Sequence, residues 1–308
     1  MPSVNAAGSA MRTVRWHSAA ICLAAALGLV GLFFVNAVAP ALARLEHWTA
    51  DWRTALLSDR LPSTHSKLAI IAVNTDTLDP FPFLLPVDRG LQADIVTAVD
   101  RAGAKAIALD FYYTKGTVEA SDAKLIKVLS GSKAQIILGA YENKFALKPS
   151  RLAYQYAFID RVKSQAGYLN LNPDADSVVR FRGAAPTDVR HEKSFSEQLA
   201  NAAGGQPHPP AKRIAWLLPP LDGGDTFLTI EAHKLLDGSA AADVARLKDR
   251  VVVIAGAFPY FDRYRTPLSL LSGSDMTGAE IHAHMAAELI DGNRSYSELA
   301  PLHRQIFL

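Results

Sequence analysis

Apolar residues along this chain fall into short unbroken runs, separated by segments with helical spacing. Lys67–Asn74 (KLAIIAVN), Ala104–Leu109, Ala134–Ala140 and Arg250–Ala255 (RVVVIA) are continuous runs, the pattern of strands buried on both faces. Arg89–Ala102 puts Leu91, Ile95, Val99 and Ala102 on one helical face. Ser121 is placed to N-cap a helix that carries Leu125, Val128 and Leu129 and closes at Gly131. Ser194 and Glu197 make a capping box for a helix with Phe195, Leu199 and Ala200 inward. Helices over Ile230–Leu236 and Gly278–Ile290 stop at Gly238 and Gly292, and Ile214–Leu218 and Thr226–Thr229 are candidate short strands. Strands alternating with helices at this spacing predict an α/β fold: a mainly parallel sheet with helices on both faces. Gly167–Asn172 and Ser177–Gly183 flank the turn-forming Pro173-Asp174-Ala175-Asp176, which predicts an inserted β-hairpin.

The N-terminus follows a different rule. After a small, polar leader (1–17) containing Arg12, Arg15 and His17, residues 18–43 carry no formal charge. About 20 apolar residues span a bilayer core, so this run is long enough for one transmembrane helix, with the basic end inside. Ala41-Leu42-Ala43 also reads as a cleavage site, but the run exceeds the roughly 7–15 residues of a signal-peptide core, which favours an uncleaved anchor. Either reading exports residues 44–308. Leu45–Leu57 continues as an amphipathic helix with Trp48 and Trp52 at interface spacing, and Ile306-Phe307-Leu308 resembles the start of a further membrane segment (302–308).

Composition narrows the chemistry. The net charge of +2 comes without a basic stripe, so nucleic acid is not an expected partner. Cys22 is the single cysteine and lies in the apolar run, which excludes a disulfide framework and a cysteine metal site. Nothing in the pattern calls for a cofactor.

Candidate site residues come from strand ends, because ligands of open α/β sheets gather at the carboxyl edge. Asp110 ends the Ala104–Leu109 run, Asp76 follows the first strand, and Asp262 with Thr266-Pro267 follows RVVVIA on the same expected edge. Asp88-Arg89 precedes a helix and reads as a cap with a neighbouring ion pair, or as a binding pair. His282 and His284, at i and i+2, point to opposite sides of a helix and cannot chelate one ion together. Asn172, Asp174 and Asp176 look like a calcium loop but lack its sixth-position Gly and twelfth-position Glu. Gly256, after RVVVIA, permits a tight strand exit or a close approach to an anion. No Gly-x-Ser-x-Gly elbow is present to support serine catalysis.

The order of these pieces over roughly 250 residues resembles the CHASE domain of the second type, a sensory extracellular domain associated with cyclases and histidine kinases. The resemblance is carried by Ile70–Asn74, the Pro-rich loop ending in Asp88-Arg89, Gly103–Phe111, and Asp122–Leu125. It continues with Gly167-Tyr168-Leu169-Asn170 leading to Asp174-Ala175-Asp176 and Val179-Arg180, then Arg250–Gly256, Asp262, Thr266-Pro267 and Met276–Ala283. The sequence departs from the family pattern at Asn74, where Asp is usual, at Ser177, where Gly is usual, and at Phe81-Pro82-Phe83, in place of a Trp-Pro-Trp-Pro-Arg motif. The resemblance implies a membrane-anchored sensor domain (44–301) on the outer side of the inner membrane. Its ligand-binding candidates are Asp76, Asp88, Arg89, Asp110, Arg180, Asp262 and Thr266. It further implies a small-molecule or protein signal, a homodimer, and a cytoplasmic cyclase or kinase effector that is absent from this chain. An exported metal-dependent hydrolase using Asp76, Asp110 and Asp262, or a structural spacer of membrane helices, is the alternative.

Overall fold

The computed structural model describes residues 21, 23–31, 42, 44–142, 147–183, 190–204 and 213–292. The chain divides into two units, Met1–Asp51 and Trp52–Leu308. In the first, the described residues are helical, and Ile21, Leu23, Leu27, Leu29 and Val30 expose their side chains. Among the described residues no helix is long and apolar enough to cross a membrane. The expected anchor over 18–43 falls largely outside the described residues, as do the leader 1–17 and the segment 302–308.

The second unit runs through β1 (Asp59–Arg60), β2 (Leu68–Val73), α1 (Thr75–Leu78), α2 (Arg89–Arg101), β3 (Ala106–Asp110), α3 (Glu119–Gly131), β4 (Gln135–Ala140), α4 (Pro149–Val162), β5 (Gln165–Tyr168) and α5 (Phe195–Ala202). It continues through β6 (Leu217–Leu218), β7 (Leu228–Glu231), α6 (Ala232–Asp237), α7 (Ala241–Ala245), β8 (Val251–Gly256), β9 (Arg263–Tyr264), α8 (Ser269–Ser272), β10 (Met276–Thr277) and α9 (Gly278–Asp291).

Six strands form one parallel sheet in the order β5-β4-β3-β8-β2-β7. Successive residues of each strand face opposite sides, so each strand feeds two cores. Ile71, Ile107, Leu109, Val252 and Ile254 pack with α2, α3 and α4 on one face. Leu68, Ala106, Ala108, Val251 and Val253 pack with α5 and α9 on the other. The crossovers obey one hand. Every step towards the β5 edge carries its helices on the first face, and the single return, from β5 to β7, carries α5 on the second.

Helix α9 is buried nearly all round. Ala279, Ala283 and Ala286 lie on the sheet, where their small side chains allow close approach. Ile281 and Met285 face a smaller outer cluster with Val179, Ile214, Trp216 and Leu218. Its buried polar residues are answered from that outer layer: Leu217 N–H donates to His284 Nδ1 (3.3 Å) and Ala215 N–H to Glu288 Oε2 (3.1 Å).

The expected α/β architecture with helices on both faces is present, with several corrections. The β-hairpin does not form. The turn exists, with Ser177 N–H bonding the Asp174 carbonyl, but its arms have other partners. The first arm, as β5, joins the parallel sheet beside β4, and Val178 in the second bridges Arg265. Ile230 belongs to β7 rather than to a helix, because it pairs with Ile71 of β2. Ser121 lies inside α3, whose N-cap is Val118, and bonds instead to Asp88 (3.4 Å). Helix α4 has no counterpart in the sequence pattern as read.

Candidate functional site

The carboxyl edge of the sheet opens between β3 and β8. The chain leaves β3 towards α3 on one face and leaves β8 towards α9 on the other. Adjacent parallel strands whose helices depart in opposite directions leave a crevice, the favoured ligand position in such sheets. Here it is a cavity of ≈320 Å³. Asp110 from the end of β3, Gly256 from the end of β8, and Asp262, Gly278 and His282 from the β8–α9 connection and α9 all line it. Aromatic walls come from Tyr112, Tyr113, Phe258, Phe261 and Tyr264.

Each polar group in the cavity has a definite state. Asp110 has the same parity as Ala106 and Ala108, so it faces the α9 side of the sheet. Its Oδ2 is inaccessible to solvent and has no hydrogen-bond partner. Burial, and then the neighbouring Asp262, hold the Asp110 carboxyl well above the usual carboxylate range. Asp262 adopts a left-handed backbone (φ 53°) that turns its carboxylate onto the Cα of Gly278. Burial raises its pKa, while a hydrogen bond from Tyr264 and the positive charge of Arg263 act in the opposite direction. Burial and the Asp110 charge push the Tyr112 hydroxyl up, so it stays a neutral donor.

His282 is 2% exposed and stacks edge-on against Phe195 (5.4 Å). Desolvation brings it down to about 4, against a weaker upward pull from its hydrogen bond to the Leu169 backbone. The ring is therefore neutral near pH 7, with Nδ1 unpartnered. Gly256 opens onto the ring of Phe258, which a Cβ there would meet at 2.6 Å. A tight packing contact, not an anion cradle, is what this glycine permits.

Among the described residues Arg89 is the one Lys or Arg side chain on the cavity wall, and its charge is already answered. It pairs with Asp122 (2.9 Å) and donates to the Lys115 carbonyl (2.6 Å) and the Tyr154 hydroxyl (3.2 Å). The Tyr113 and Phe158 rings lie against it at 5.3 and 5.2 Å. Asp88 caps α2 by accepting from Leu91 N–H (2.9 Å).

The other sequence candidates lie elsewhere. Asp76 sits exposed in α1, while Asn74 takes the strand-end role, capping α1 through Thr77 N–H and donating to Glu231. Arg180 clamps the turn by pairing with Asp174 (3.0 Å) and Asp176 (2.6 Å), so those carboxylates are neutralised rather than open to calcium. Thr266 is buried with an unpartnered hydroxyl, outside the cavity lining. In the sequence His282 stands out only as a possible metal ligand. Among the described residues no three His, Cys, Asp or Glu side chains gather to hold a metal. The aromatic wall was partly legible in Phe111-Tyr112-Tyr113, directly after the strand-end Asp.

The CHASE2 domain family model matches residues 23–306. This chain belongs to the CHASE2 domain family. CHASE2 domains are extracellular sensory modules of signalling proteins. No curated protein and no solved structure matches the chain.

Proposed function

We propose that this CHASE2 domain senses a small molecule held in the cavity between β3 and β8 and passes the change to a membrane-linked effector such as a cyclase or kinase. The observation that carries the reading is the position of the cavity. It lies at the topological switch of the sheet and is walled by aromatics, with unpartnered buried polar atoms on Asp110 and His282. Exposed apolar side chains at Leu23, Leu27, Leu29 and Val30, within the uncharged stretch 18–43, support an anchor in the inner membrane with the sensor outside. A ligand shifts such a protein only by binding one state better than another, so cavity closure around the ligand is the expected signal, relayed within a homodimer.

The test is a thermal unfolding assay on the full chain with small-molecule fractions of a cell extract. A fraction that raises Tm in the wild type should have no effect on Leu171→Trp, whose larger ring occupies the cavity. A fraction that stabilises both equally would place its site elsewhere and remove this reading. An alkaline-active reporter that works only outside the cytoplasm, fused after Gly292, tests the topology.

A further inference from the structure

The signal's chemical class follows from what the cavity offers, once the cavity is taken as the ligand site proposed above. We infer that the cavity takes an organic amine in its ammonium form, with a small apolar or aromatic body.

Asp110, Asp262 and His282 line the space, and among the described residues the positive side chain in its wall, Arg89, is already paired. Asp110 Oδ2 is sealed from solvent without a partner. His282 Nδ1 is likewise unpartnered, in a ring 2% exposed that is engaged at its other side by the Leu169 backbone. A neutral imidazole so engaged presents a lone pair at Nδ1. The Asp262 carboxylate is the charge neighbouring Asp110 and lies against Gly278, with a hydrogen bond from Tyr264. Arg89, the basic residue in the wall, is held by Asp122, so it does not offset these acids from within. Arg263 acts on Asp262 from outside the lining.

An unpartnered buried carboxylate oxygen is costly unless a donor reaches it. A primary ammonium carries three N–H donors and one positive charge, which matches this set of acceptors. The walls are suited to the rest of such a molecule. Tyr112, Tyr113, Phe258, Phe261 and Tyr264 line the space, and aromatic faces attract organic cations. An anionic ligand would oppose the ionisation of both acids, whereas a cation favours it. A metal ion would find no three-residue donor set among the described residues.

The test uses the full chain in detergent and three probes of one shape: phenethylamine, phenethyl alcohol and 3-phenylpropionate, with Mg2+ and Ca2+ in parallel. Calorimetry and thermal shift should show binding by phenethylamine above the other two. Asp110→Asn keeps the side-chain shape and should weaken the amine about tenfold or more. Asp262→Asn should weaken it similarly, and Leu171→Trp should block it. Equal or tighter binding by the alcohol, the carboxylate or a divalent ion overturns the amine assignment. So does amine binding that Asp110→Asn leaves unchanged. If no probe binds while an extract fraction still stabilises the wild type and not Leu171→Trp, the amine assignment falls and the cavity remains a ligand site. If the extract arm fails too, both fall.

Discussion

The carboxylate of Asp262 occupies the space that a side chain at Gly278 would need: a Cβ there would lie 2.5 Å from Oδ2 and 2.9 Å from Oδ1. The Gly278 N–H also donates to the Asp262 carbonyl (3.2 Å), so the two residues are locked at backbone and side chain together. Gly278→Ala must therefore push the carboxylate out of the cavity lip. The expected cost is about 1–3 kcal/mol in urea unfolding. Adding Asp262→Ala should restore most of it, because the double variant removes the clash. A full loss that Asp262→Ala does not relieve would show that the contact is not the cause.

Asp110 gives a pH dependence with a definite sign. Its folded pKa is raised, so in the folded protein it keeps its proton to higher pH than in the unfolded chain. It stabilises the fold below the unfolded value, about 3.9, and this contribution is lost as pH rises through the raised folded value. Asp262 is the neighbouring charge that adds to the effect of burial. Asp110→Asn should therefore melt above the wild type at about pH 8, with the gap closing towards about pH 4. Calorimetric scans across that range measure it. An Asn variant that melts lower at alkaline pH would contradict the burial argument.

His282 and His284 act in the other direction. Desolvation lowers their pKa values to about 4 and about 3. Their contribution is complete above the unfolded value, about 6.5, and disappears as pH falls towards the folded values, because the unfolded chain takes up the protons first. Acid should lower Tm between about pH 6.5 and 4, and His284→Gln should flatten that slope. His284 is enclosed by Trp216 and Phe227 at 5.2 and 5.0 Å, so its own proton uptake requires opening of the α9 layer.

Arg89 and Asp122 form a largely buried charge pair beside the site, with side chains 5% and 15% exposed. Removing one partner of a buried pair costs about 3–5 kcal/mol. Arg89→Met should approach that value in denaturant titrations. The double change Arg89→Met with Asp122→Leu should cost clearly less than the sum of the singles. Additive losses would mean that the guanidinium contributes through its aromatic and carbonyl contacts instead.

Much of the sheet was legible because continuous apolar runs such as RVVVIA arise when a strand is covered on both faces. The shared edge of Asp110 and Asp262 followed from strand ends alone. Partner choice was not legible. Gly167-Tyr168 satisfies a hairpin arm and a parallel edge strand equally well by period, and β4 decides between them. Asp76 and Asn74 are two residues apart, and only the cap geometry of α1 shows that Asn74 stays at the strand end while Asp76 turns outward. His282 reads in the sequence as a potential metal ligand and nothing more. Its orphaned Nδ1 depends on which side of α9 meets the cavity, which a helical pattern this uniformly apolar does not reveal.

Strand β8 lies between β2 and β3, although it follows them by well over a hundred residues. Until residues 251–256 arrive, β2 and β3 stand a full strand apart, each with an unsatisfied row of backbone donors and acceptors. Assembly of the sheet is therefore ordered from the carboxyl end: the middle is laid last, and both halves wait for it. A chain emerging amino end first, if halted near Gly204, would carry β2 unpaired on both edges, β3 unpaired on one, and none of α9. Such a fragment should aggregate rather than persist as a half-domain, and native refolding should be slow, set by that late, long-range insertion.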